Sequence, residues 1–142
     1  MLGSVRRFVG GFFLFTAGIN VGMAAADADA WGVFGDQAAL DVVRETWQDV
    51  VAGSPAPWAL LLAAAELAVG VLLLRGGRAA RVGWVGAIGF HVLLMAFGPW
   101  IWVWCLPVLA VLVPVARAEW PLLVRTGAYA DPVRTPSAAA RG

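Results

Sequence analysis

Glu66 places a carboxyl group in the middle of an apolar segment. Every other residue from 57 to 74 is apolar or Gly, and a helix of roughly 20 residues at about 1.5 Å each crosses a bilayer. An ionisable side chain at the centre of such a helix costs about 2.5 to 3.5 kcal/mol on insertion scales, which the surrounding leucines offset. A residue that is tolerated at this cost is a candidate for function.

Three further polar residues are predicted to lie at a similar depth. Counting inward from the arginines that flank each apolar segment, Glu66, His91 and Asn20 fall at roughly 14, 15 and 20 Å. Thr16 lies one helical turn from Asn20. The sequence therefore predicts a polar layer near the middle of the membrane.

A carboxyl group beside an imidazole can exchange a proton or hydrogen-bond to a quinone carbonyl. We therefore predict that Glu66 and His91 are neighbours and form a ligand or proton site, in which Asn20 and Thr16 orient the guest. The structural alternatives stay open. Glu66 could hold the helices in register, His91 could be a packing residue, and Asn20 could join two helices.

The single cysteine and single histidine limit the chemistry of the chain. Cys105 is expected to be a small buried residue, because one cysteine forms no internal disulfide. One histidine cannot supply both axial ligands of a haem within a monomer. We predict no catalytic residue and no metal site, and redox chemistry would need a diffusible cofactor such as a quinone or a partner protein. Whether the chain is an enzyme stays open.

The composition indicates a membrane protein. Hydrophobic residues make up 61% of the chain and charged residues 13%, and the mean hydropathy is +0.81. This leaves too few charged residues to cover a soluble domain of this size. The net charge of +1 argues against nucleic acid as a partner, so the expected surroundings are lipid.

Hydropathy predicts an all-α fold, an integral membrane four-helix bundle in one domain over residues 1–120. The expected spans are 8–26, 57–74, 82–97 and 100–116, with an outer loop at 27–56 and a flexible cytoplasmic tail at 121–142. Pro107 and Pro114 remove backbone hydrogen bonds in the fourth span, which predicts either a packed kink or a bend that opens a pocket beside the polar layer. The small residues Gly18 and Gly22 predict a close helix contact.

The arginines predict the orientation. With four spans, nine of the ten arginines fall on one side and only Arg44 on the other, so the positive-inside rule places both termini in the cytoplasm. The use of arginine without lysine suggests a bacterial genome, and hence the bacterial inner membrane. A cleaved signal peptide ending near Ala26 is the alternative, but the first apolar stretch is longer than is usual for such peptides.

The outer loop contains a predicted amphipathic helix over residues 36–51. Its apolar residues recur at helical spacing, with Asp36 as the cap and Gly53 near the end. This helix either rests on the membrane surface or forms a lid or docking surface for an external partner. Trp102 or Trp104 would cover the outer mouth of the polar site.

These features resemble the DoxX-like family of four-helix membrane proteins, over about residues 5 to 117. The resemblance rests on the glycines of the first span, the outer segment with Trp47, the run of residues 66–74 and the basic turn at 75–81. At position 20, Asn stands where such families often carry Lys. The resemblance implies an integral membrane subunit, sometimes associated with quinone-linked or oxidative-stress systems.

Three functions remain open. The first is a DoxX-like subunit that acts with a partner membrane or periplasmic protein and whose polar layer binds a quinone-like molecule or relays protons. The second is a small proton-coupled exporter of lipophilic compounds. The third is a structural or assembly subunit without chemistry of its own.

Overall fold

The structure, a computed structural model, describes residues 1–128, and side chains for residues 1–123. The described chain is helical throughout and contains no strand in this range. Six helices follow one another: α1 (Leu2–Ala26), α2 (Gly32–Asp36), α3 (Asp41–Thr46), α4 (Pro55–Arg75), α5 (Gly77–Leu94) and α6 (Pro99–Ala128). Short 3-10 turns at Ala28–Trp31 and Met95–Phe97 and a π-helical turn at Trp47–Ala52 connect them.

Four of these helices are long and apolar enough to cross a membrane, which confirms the four predicted apolar segments. They are Leu2–Ala26, Pro55–Arg75, Gly77–Phe97 and Pro99–Leu123. The helices extend beyond the hydropathy boundaries, because backbone hydrogen bonding continues through flanking polar residues. The predicted start of the tail, at residue 121, therefore falls inside α6, and residues 129–142 lie outside the described part of the chain.

Glycines allow α1 and α4 to pack closely. A Cβ added to Gly70 would lie 2.9 Å from the Gly10 carbonyl oxygen and 2.7 Å from Leu14 Cδ2. Gly83 on α5 meets α4 in the same way, with Leu73 as its neighbour. The faces of α4 and α5 that carry Glu66 and His91 thus point at other helices, and only a residue without a Cβ fits these crossings.

The predicted contact through Gly18 and Gly22 is wrong within this chain. Both glycines are exposed, and a Cβ at either would meet no atom within 4 Å. The reason is geometric, because α1 turns the face carrying Val9, Phe13 and Ala17 inward. Gly18 and Gly22 lie on the other face.

The outer segment is not one helix over 36–51. The chain turns at residues 37–40, and the helix starts at Asp41 and ends in the π-helical turn. Asp36 does not cap it, but accepts a hydrogen bond from Gln48 Nε2 at 2.8 Å. The segment folds back because α2 packs on Trp47, where a Cβ on Gly35 would lie 2.5 Å from the indole. The predicted amphipathic surface helix is therefore shorter and lies against α2.

Four aromatic rings join this segment to the bundle and form what we call the outer cap, namely Trp31, Phe34, Trp47 and Phe97. The Trp31 and Trp47 rings are stacked with centroids 6.3 Å apart, and Trp47 meets Phe97 edge to face at 5.1 Å. Trp31 is only 5% exposed. The Ala39 amide also donates to the Phe97 carbonyl at 2.9 Å, so the cap is tied to the α5–α6 connection.

A buried ion pair joins the helices at the opposite end of the bundle. Arg6 Nε donates to Glu119 Oε1 at 2.9 Å, and Trp84 Nε1 donates to Glu119 Oε2 at 2.8 Å. Arg6 also donates to the Leu73 carbonyl. Glu119 is 4% exposed and Trp84 fully buried. These contacts connect α1, α4, α5 and α6, and we call this group the inner lock.

Candidate functional site

Glu66 lies in the bundle interior because it is on the side of α4 that packs against the other helices. Ala59 and Ala63 precede it on this face and Gly70 follows it, and all of them are buried. The Glu66 side chain is 4% exposed. Asn20 Nδ2 on α1 donates to Glu66 Oε2 at 2.6 Å. This short hydrogen bond joins α1 to α4.

His91 is fixed by its own helix. It is 3% exposed, and its Nδ1 lies 2.8 Å from the Ala87 carbonyl oxygen. A carbonyl oxygen can only accept, so Nδ1 carries the proton, and Nε2 of the neutral ring is left as an acceptor. The rings of Phe13 and Phe90 stand edge-on to the imidazole at 6.2 and 5.4 Å. The aromatic contacts and the hydrogen bond together fix the ring orientation.

The structure brings the four predicted site residues together in one cleft of about 210 Å³, the central cleft. Glu66, His91, Asn20 and Thr16 all line it. Within residues 1–128, no hydrogen bond joins Glu66 to His91. Their partners are Asn20 and the Ala87 carbonyl, and the expected direct pair is replaced by two groups facing a shared space. Thr16 Oγ1 donates to its own helix, at the Phe13 carbonyl.

A second cleft of about 440 Å³, the outer cleft, continues from the first towards the outer cap. Asn20, Glu66, Phe90 and Trp104 line both spaces. The four rings of the outer cap line the outer cleft as well. The cap therefore forms the end wall of this space. Of the two tryptophans expected at the mouth, Trp104 lines the clefts. The Trp102 indole instead donates to the Met95 carbonyl at 2.9 Å.

A third space of about 330 Å³ lies between α1 and α6, and we call it the α1/α6 groove. Pro107 lines this groove beside Trp104 and His91. Pro107 thus borders a pocket next to the polar layer, and the predicted bend or packed kink at the prolines stays a prediction. Helix α6 nevertheless runs unbroken past Pro107, Pro114 and Pro121.

The arrangement can hold a molecule of modest size through hydrogen bonds. The central cleft alone is smaller than the roughly 300 to 1,000 Å³ of typical ligand pockets, but the adjoining clefts extend it. An amide, a carboxyl, a hydroxyl and an imidazole face this space, so a guest could donate or accept a hydrogen bond and exchange a proton. In the described part of the chain, no three His, Cys, Asp or Glu side chains group together as metal ligands would. Cys105 is fully buried, as expected.

Sequence reasoning missed the aromatic walls and the inner lock. Phe13 and Phe90 carry no polar group. Phe90 directly precedes His91 on α5, whereas Phe13 reaches the imidazole from α1, which depends on the tertiary packing. Glu119 lies past the predicted end of the fourth span at residue 116, where hydropathy gives it no role. A helical count from Cys105 would have found it, because Cys105, Leu112, Ala116 and Glu119 share one face of α6 and all are buried.

Comparisons of the chain with family models, with curated proteins and with solved structures gave no match. The site is therefore interpreted from its own geometry.

Proposed function

We propose that this chain is a multi-pass protein of the bacterial inner membrane whose central cleft binds a small lipophilic molecule with a hydrogen-bonding head, such as a quinone. The observation that carries the proposal is the convergence of Asn20, Glu66 and His91 on one cleft between apolar helices. These side chains have partners within the protein, since Asn20 bonds to Glu66 and His91 to the Ala87 carbonyl. They nevertheless line a shared space that a guest can fill.

The proposed orientation has both termini in the cytoplasm and the outer cap on the periplasmic side. The supporting observation is the distribution of charge on the four apolar helices. Arg6, Arg75, Arg78 and Arg117 lie at one end, and the acidic outer segment joins the other. This is the asymmetry expected from the positive-inside rule.

We further propose a DoxX-like role, in which the chain acts with a partner membrane or periplasmic protein in a quinone-linked or oxidative-stress-related process. The chain has one histidine and one cysteine. Cys105 is buried and is not among the residues that line the central cleft. The cleft residues can bind the head, orient it and move a proton. A partner is the natural source or acceptor of electrons.

A proton-coupled exporter is the second candidate, because clefts extend from the central cleft in two directions. A single carboxyl group that is reached from two sides could exchange a proton for a lipophilic cation. Proteoliposomes loaded with tetraphenylphosphonium distinguish the two functions. An exporter moves the cation when a proton gradient is applied, and a quinone-binding subunit does not.

The test of the proposed function is binding of duroquinone, a ring without a tail, to the purified protein in detergent. A quinone carbonyl only accepts hydrogen bonds, so Glu66 would donate to it as the neutral carboxyl group, and Glu66→Leu removes this donor. Loss of one neutral hydrogen bond costs about 0.5 to 1.5 kcal/mol, so affinity should fall about two- to tenfold. Glu45→Leu is the matched control, because Glu45 is exposed on α3. It should bind like the unmodified protein.

Two results would contradict the proposal. One is the absence of duroquinone binding by the unmodified protein. The other is unchanged binding by a folded Glu66→Leu variant. In either case Glu66 serves the bundle alone, and a structural or assembly subunit becomes the better description.

A further inference from the structure

The α1/α6 groove is an apolar channel that ends at the polar site. Its floor is formed by buried residues that include Val9, Phe13 and Leu112, and exposed side chains such as Phe8 and Val111 form its walls. Among the described residues that line it, all but His91 are apolar or aromatic. The groove thus offers burial and almost no hydrogen bonding.

The groove and the central cleft are continuous. Phe12, Phe13, His91 and Trp104 line both of them. His91 therefore stands at the junction, where hydrogen-bonding groups give way to apolar walls. A guest that occupies both spaces must be polar at one end and apolar along the rest.

The groove has the shape of a chain-binding site. It is lined on α1 from Val5 to Phe13 and on α6 from Trp104 to Leu112, which corresponds to about 12 Å of each helix. Its walls are open outward, since Phe8 is 75% and Val111 56% exposed. In the proposed membrane orientation, this opening faces acyl chains, whereas the outer cap stands between the outer cleft and water.

We propose that the ligand is an amphiphile whose ring head lies in the central cleft and whose linear apolar tail lies in the α1/α6 groove. This inference rests on the proposed function and adds the class of ligand and its route. The ligand enters sideways from the bilayer, between α1 and α6. The site therefore selects molecules by tail as well as by head.

The test compares duroquinone with benzoquinones that carry alkyl or isoprenoid tails of increasing length. Val108→Phe fills the groove, and Val111→Phe does so from the exposed wall with less disturbance of the core. Val103→Phe is the matched control, because Val103 lies on the same helix and is 79% exposed. For each ligand, the measured quantity is the Kd of the variant divided by the Kd of the unmodified protein. This ratio cancels the partitioning of the ligand into detergent.

For duroquinone, the ratio should stay near one in all three valine variants, which also shows that the folded site is intact. For long tails, the ratio should rise at least about tenfold in Val108→Phe and Val111→Phe, because each methylene group excluded from burial changes affinity about fourfold. Val103→Phe should show no rise. Glu66→Leu should weaken binding of every ligand by the same factor.

The two proposals fail in different ways. If duroquinone binds through Glu66 but the ratio does not depend on tail length, the tail lies elsewhere and the groove proposal is overturned. The same holds if Val108→Phe lowers only the amount of co-purifying phospholipid, because the groove is then an ordinary lipid site. If no quinone of any length binds, both proposals are overturned.

Discussion

Replacing Glu119 by Leu should destabilise the bundle strongly, because it removes the acceptor from two buried donors. Arg6 Nε and Trp84 Nε1 both donate to this carboxylate, at 2.9 and 2.8 Å. The Arg6 and Glu119 side chains are only 15% and 5% exposed. The Trp84 indole is fully buried, so water cannot replace its lost partner, and the Arg6 side chain has little access to water.

The magnitude follows from the loss of one member of a buried ion pair, which typically costs about 3 to 5 kcal/mol. Arg6 keeps its bond to the Leu73 carbonyl, which lowers the expected cost, whereas the unpaired Trp84 indole raises it. We expect about 4 kcal/mol for Glu119→Leu and about 3 kcal/mol for Arg6→Met. The double variant leaves no buried charge and should cost less than either single change.

The assay is unfolding of the purified protein in mixed detergent, followed by circular dichroism at one pH. Strong non-additivity, of more than about 4 kcal/mol, is the expected result. The control is the exposed pair of Asp41 and Arg44, 3.2 Å apart, for which Asp41→Ala should change the free energy of unfolding by less than about 1 kcal/mol. Additive single costs, or a Glu119→Leu variant as stable as the Asp41→Ala control, would refute the reasoning.

Further predictions concern the polar site, the helix crossing and the orientation. Asn20→Leu and Glu66→Gln should be non-additive in thermal unfolding because these side chains share a hydrogen bond. His91→Ala with Glu66→Gln should be closer to additive, and the reverse ranking would show that the imidazole is the true partner. Gly70→Ala should destabilise by about 1 to 3 kcal/mol through overpacking against Leu14 and Gly10, whereas Gly18→Ala, with open space around it, should not; equal effects would reject the close crossing. In a Cys105→Ala background, cysteines at Asp41 and Arg78 should react with impermeant labels from opposite sides of the membrane, and labelling of both from one side would overturn the proposed topology.

The long helices and the depth of the polar residues within them could be predicted from the sequence, because both depend on local patterns. An apolar run of sufficient length requires a helix whose backbone groups are satisfied internally. The side of α4 that faces inward could be read from Ala59, Ala63 and Gly70, which recur at helical spacing. These features depend only on helical periodicity and on residue size.

The pairing of polar groups could not be predicted, because it depends on the rotation of each helix against its neighbours. From its depth in the membrane, His91 was the expected partner of Glu66, but in the structure Glu66 is hydrogen-bonded to Asn20. A helix carries four or more side chains at nearly the same depth, and only packing selects one. The prediction of one continuous helix in the outer segment was wrong for a related reason. Its periodicity was real, but Gly35 allows α2 to pack on Trp47, and this contact overrides a continuous helix.

The inner lock also has a consequence for how the chain is made. Arg6 and Glu119 are 113 residues apart. The ion pair between α1, which is synthesised first, and α6 therefore cannot form until α6 has been synthesised. In the proposed orientation, Arg6 lies at the cytoplasmic surface until α6 arrives, where water can solvate its charge. A chain cut before Glu119 could insert α1, α4 and α5, but would leave Arg6 and Trp84 without their acceptor. The ion pair can therefore form only after α6 has been made, so this end of the bundle is joined last.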